Sequence, residues 1–97
     1  MFEYKIPKTI KTKFTKDFME DFLINIIQVF NLSETMLYSD SIIYLEGTCG
    51  WTDAFKTTCN KYNMYDVFIY YDELDWYYSD LFDDELGSLL EEYELVK

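Results

Sequence analysis

The chain has no histidine and no arginine, one proline, three glycines and two cysteines in 97 residues. Without histidine, no side chain has an ordinary pKa near neutrality, which excludes the usual acid–base and Ser–His or Cys–His chemistry. Without arginine there is no planar fork to clamp a phosphate from two sides. Gly47, Gly50 and Gly87 do not form a glycine-rich phosphate loop, and the acidic stretch around Asp83 lacks the glycine a calcium loop needs. Cys49 and Cys59 have neither a CxxC spacing nor a histidine partner, so they read as reduced, partly buried small side chains rather than zinc ligands. The longest apolar run, Phe22 to Phe30, is broken by Asn25 and Gln28 and is shorter than the ~20 residues of a membrane span. Met-Phe-Glu-Tyr-Lys-Ile-Pro-Lys at the start has no apolar core or cleavage site of a secretory signal, so a cytoplasmic location is the expectation. No enzyme activity, cofactor or metal is expected.

What the chain does have is negative charge and rings. Eight lysines stand against 19 acids, for a net charge of −11, and 21% of the residues are aromatic. The aromatics and an apolar share of 49% argue for a folded chain rather than an acidic tail. A chain of this length forms a single domain, residues 1–97, with one modest core. The charge is uneven: residues 1–16 sum to +4 and the remainder to −15. Direct binding of nucleic acid by so acidic a chain is excluded as a main activity.

The clearest element is a helix over Lys16 to Phe30. Thr15 is a suitable N-cap, Asp17 and Glu20 complement the dipole, and Phe14 can staple onto Met19. Phe18, Phe22, Leu23, Ile26, Val29 and Phe30 recur at helical spacing, widened by Ile24 and Ile27, which predicts a largely buried core helix. Ser41–Gly47 and Asp66–Tyr71 read as strands, the second β-branched and aromatic throughout, with a weaker strand at Phe2–Ile6 ended by Pro7. Thr52 is the expected cap of a helix from Asp53 to about Tyr62. These elements predict an α+β fold: a small three-stranded sheet packed against the long helix and an acidic C-terminal helix.

Asp72 to Val96 is expected to be helical, with a break near Ser79–Asp83. Phe82, Leu86, Leu89, Leu90, Tyr93 and Val96 share one arc, while Asp84, Glu85, Ser88, Glu91 and Glu92 lie opposite. Within this third, Asp72, Glu73, Asp75, Asp80, Asp83, Asp84, Glu85, Glu91, Glu92 and Glu94 have no lysine among them. Ordinary solvated helices mix the two signs, because like charges at three- and four-residue spacing repel. Carboxylates at that spacing advance about 4.5–6 Å along a helix and can imitate a row of phosphates. Trp76, Tyr77 and Tyr78 sit in the same stretch and cannot all face inward; exposed Trp and Tyr are the usual anchors of protein interfaces. Acid with aromatic anchors suits a Lys/Arg-rich groove on a protein. The alternatives are that the acids only solvate, with the rings forming the core or a homodimer seam, and that the lysines of residues 5–16 line an edge strand and balance the acid.

In the Asp72–Glu94 run and its Tyr/Trp set, the chain resembles the small acidic phage-encoded inhibitors of bacterial defence, the anti-CRISPR and DNA-mimic anti-restriction proteins. The arginine-free, Lys/Asn/Ile/Tyr-rich composition is similar to that of AT-rich phages. The resemblance implies a non-enzymatic inhibitor acting in the cytoplasm of a bacterial host. Its partner would be a basic nucleic-acid-binding protein, a CRISPR effector or another nuclease, with no membrane or nucleic-acid contact of its own. The expected partner-binding residues are Asp72, Glu73, Asp75, Trp76, Tyr77, Tyr78, Asp80, Asp83, Asp84, Glu85, Glu91 and Glu92. An immunity protein against a cationic nuclease toxin, or a homodimeric scaffolding protein, would show the same composition.

Overall fold

The computed structural model describes residues 4–97. In chain order they form α1 (Lys8–Lys11), α2 (Lys16–Phe30), α3 (Ser39–Ile43), α4 (Cys49–Lys61), α5 (Tyr65–Asp72) and α6 (Trp76–Glu92), with one 3₁₀ turn at Glu34–Met36. There is no strand among the described residues, which corrects the expected α+β fold: the protein is all-helical. Phe2 and Glu3 of the expected N-terminal strand lie outside the described residues. Tyr4 to Ile6 is irregular and leads through Pro7 into α1.

α2 forms over the residues expected. The Thr15 hydroxyl accepts from Phe18 N at 3.2 Å. The helix stops at Asn31, whose positive φ of 52° gives a left-handed C-cap. Phe18, Met19, Phe22, Leu23 and Ile26 are buried, whereas Ile24 and Val29 stay exposed, so only one face of α2 meets the core.

The strand readings at Asp66–Tyr71 and Ser41–Gly47 fail for one reason. Val67, Phe68 and Tyr71 of α5 all reach the core, at spacings of one and four that a helix brings to one side and a strand would split between two faces. A lone strand here would have no neighbour for its N–H and C=O groups, whereas a helix satisfies them internally. Intrinsic β preference spans only about 1 kcal/mol and yields to that demand. The same holds at Ser41–Gly47, where α3 is followed by turns that end at Gly47, with φ at 78°. α4 begins earlier than expected: Thr48, not Thr52, is the cap and accepts from Trp51 N at 3.2 Å. This start carries the indole of Trp51 into the interior on the first turn. At Gly50 a Cβ would lie 2.5 Å from the Phe30 ring, so any larger residue there would have to displace that ring.

α2 lies along α4, α4 along α5, and α6 closes the other side against α2, α3 and α5. Phe55 is the hub: its ring stands 5.1–6.2 Å from those of Phe14, Phe18, Phe22, Tyr71 and Phe82. These pairs are edge-on, the arrangement the ring quadrupole favours. Cys59 is buried, which pushes its thiol up to about 12, whereas Cys49 is exposed.

Candidate functional site

α6 determines where the acidic third goes. It runs unbroken through Ser79–Asp83; the expected break falls earlier, at Glu73–Asp75, where the Asp75 carboxylate caps the helix by accepting from Tyr78 N at 3.1 Å. At 100° per residue, Asp80, Asp84 and Glu91 fall within an arc of about 40° on its outer side. They form a row about 16 Å long. All three are exposed, as are Asp72, Glu73 and Asp75 at the corner where α5 turns into α6. Trp76 and Tyr77, at 79% and 54% exposure, stand at the N-terminal end of this row. Tyr78 is half-buried, its ring 5.2 Å from that of Tyr4.

Not every expected residue joins this face. Asp83 points the other way and is 2% exposed. Its Oδ1 accepts from the Trp51 indole N–H at 2.8 Å and its Oδ2 from the Tyr71 hydroxyl at 3.4 Å. On the helix wheel Asp83 falls beside Leu86 and Leu90, so this expected partner-binding residue lies inside the fold and not on the outer face. Burial pushes its carboxyl up to about 6 despite the two hydrogen bonds. Glu85 is half-buried, accepting from Ile6 N at 3.0 Å; Glu92 remains exposed.

One acidic residue of the site lies far away in sequence. Glu46, in the turn after α3, folds its carboxyl onto Gly87 of α6, where any Cβ would collide with Glu46 Oε1. Burial, then a hydrogen bond shared with Asp84 and the charges of Asp83 and Asp80, push Glu46 up to about 8. Glu46 is therefore mostly protonated at pH 7 and softens the acidic row by one charge. The neutral form is favoured in the fold, so this carboxyl stabilises most below its ordinary value of 4.5 and loses that contribution as pH rises through 8. Melting temperature is expected to fall between pH 5 and pH 9. Glu46→Gln should flatten the decline above pH 6 and melt higher than wild type at pH 9; an unchanged profile would contradict the placement of this side chain. The only hint in the sequence is the lone glycine, Gly87, interrupting an otherwise side-chain-rich helix.

The N-terminal lysines do not line an edge strand. Lys8 and Lys11 belong to the short α1, and Lys5 precedes it, all three beside α6. The ion pairs among the described residues are Lys13–Asp66 at 3.4 Å and Lys61–Asp21 at 3.0 Å, both away from α6. The Asp21 carboxyl is held below its ordinary value chiefly by the Tyr62 hydroxyl, which donates to it at 2.5 Å, and then by Lys61. No group of three or more Cys, Asp or Glu among the described residues is arranged to hold a metal ion. No helix among them is long and apolar enough to cross a membrane.

Compared with family models, curated proteins and solved structures, the chain matches none.

Proposed function

We propose that this protein is a non-enzymatic inhibitor that occupies the basic nucleic-acid-binding surface of a bacterial defence nuclease, such as a CRISPR effector, with the outer face of α6. The observation that carries the reading is the unneutralised row Asp80–Asp84–Glu91, with Trp76 and Tyr77 bare at its end beside Asp72, Glu73 and Asp75. A rigid helix holds these charges at fixed spacing, so their field acts before contact and steers a cationic cleft toward them. Exposing an indole costs hydration free energy in the free protein, and covering it on binding recovers that free energy at the centre of the contact. Glu92 and the half-buried Glu85 continue the negative field toward the C-terminal end, and the Tyr78 ring backs Tyr77 at 5.4 Å.

The test is binding to a nuclease recovered with the protein from host lysate. Changing Asp80, Asp84 and Glu91 together to Lys is expected to weaken association at least about 100-fold at low salt. Wild-type affinity should also fall steeply as ionic strength rises, because the Debye length shrinks from about 30 Å at 0.01 M to about 10 Å at 0.1 M. Trp76→Ala should cost about 2 kcal/mol of binding with little change in salt dependence. An affinity indifferent to both salt and the triple substitution would refute the electrostatic mechanism.

A further inference from the structure

Beside the acidic row, on the flank of α6 facing the N-terminal segment, lies an open groove of about 560 Å³. It follows α6 from Tyr77 to Glu92, about 22 Å at 1.5 Å per residue. Half-buried Leu81, with the rings of Tyr4 and Tyr77, supplies apolar surface along it, while Ile6 and Leu89 lie beneath, each 4% exposed. The N-terminal wall carries Lys5, Lys8 and Lys11 and the α6 wall carries Asp84 and Glu92, while Glu85 reaches across to accept from Ile6 N. None of the three lysines forms an ion pair with another described residue, so charges of opposite sign line the two sides of the groove.

We propose that this groove receives an amphipathic helix of a protein partner, its apolar stripe over Leu81 and Tyr77, acids on the flank toward the lysines and bases on the flank toward Asp84 and Glu92. Several features select this occupant. The groove is lined by helices and irregular chain, with no strand edge to pair an extended peptide, whereas a helix brings its backbone hydrogen bonds with it. Its length matches about four helical turns. A polyanion would meet the carboxylate wall, and a purely cationic segment would meet the lysine wall. Only a partner with both signs, one on each flank, is complementary to both walls. This proposal goes beyond the phosphate-like row: it holds whether or not the partner also binds nucleic acid.

The experiment uses the full chain and three synthetic helical peptides of about 18 residues sharing one leucine stripe. One has Glu on one flank and Lys on the other, one has Lys on both, and one has Glu on both. The mixed peptide is expected to bind at least about tenfold tighter than either of the others, a difference of about 1.4 kcal/mol. It should shift the amide resonances of Leu81 and Ser88 and leave those of α4 unmoved. Lys8→Glu with Lys11→Glu should transfer the preference to the all-lysine peptide. Leu81→Asp should abolish binding of the mixed peptide, with an unchanged circular dichroism spectrum confirming the fold. Equal or tighter binding of the all-lysine peptide to the wild-type chain would overturn the proposal, showing that net charge alone decides. Absence of binding by all three, or shifts confined to other faces, would overturn it as well.

Discussion

Phe55→Ala is expected to lower the unfolding free energy by about 4 kcal/mol, the cost of removing a buried ring and leaving a cavity. For a chain of this size, total stability is on the order of 5–15 kcal/mol, so the variant keeps about 1–11 kcal/mol and its urea midpoint should fall markedly. The position warrants the upper part of the range. Phe55 is fully buried and its ring meets rings from the segment before α2, from α2, from α5 and from α6. Rigid rings fixed on four separate segments cannot all collapse into one void, so relaxation recovers little. Urea denaturation followed by tryptophan fluorescence gives the number directly, since Trp51 lies in the same core. Phe55→Leu should cost less, about 1–2 kcal/mol. A loss under 1 kcal/mol for the alanine variant would show that the aromatic cluster does not form as described.

Asp83→Leu is expected to cost about 3 kcal/mol near pH 5, although leucine is the better core residue by composition. The Asp83 carboxyl accepts from Trp51 and Tyr71, and the fully buried Trp51 has no other acceptor for its indole among the described residues. Leucine leaves those donors in an apolar interior, at roughly 1–3 kcal/mol for each group left unsatisfied. Tyr71 keeps Thr52 as a neighbour at 3.3 Å, so the indole accounts for most of the loss. Asp83→Asn retains an oxygen for Trp51 and should cost only about 1 kcal/mol.

The pH dependence of the pair is distinctive. Because the folded carboxyl titrates near 6 rather than 3.8, its contribution is complete below 3.8 and is lost as pH rises through 6. The penalty for asparagine should therefore be larger at pH 4 than at pH 8, the reverse of a surface aspartate held by a cation. Paired denaturant titrations at the two pH values decide it, and an equal penalty at both would mean that Asp83 is not desolvated.

How far the residues announce this arrangement differs from element to element. α2 was readable to its end points, because its cap, first-turn acid and apolar stripe all agree and all are local. The inward arc of α6 was readable too: Phe82, Leu86, Leu89 and Leu90 are buried, but the helix ends at Glu92, short of the expected Val96, so half-buried Tyr93 and buried Val96 lie beyond it. α5 was not readable, because Val-Phe-Ile-Tyr-Tyr suits either a strand or a buried helix until its neighbours are known. Nor was Asp83, since an acid amid acids gives no sign that an indole from α4 will reach it. Glu46 was hidden similarly: its partners Asp84 and Gly87 come from a helix that begins about 30 residues later.

The amino-acid order alone determined that the acids and rings concentrate in the last third and that α6 presents most of them outward, because a 3.6-residue period requires no other chain segment to define its faces. Tertiary structure decided that the described residues make no sheet, that Asp83 turns inward, that Glu46 lies over α6, and that the N-terminal lysines stand across a groove from carboxylates. Those outcomes depend on which surfaces meet. Burial and dielectric surroundings are properties of the packed whole, set by residues too far apart in sequence for any local pattern to bring together.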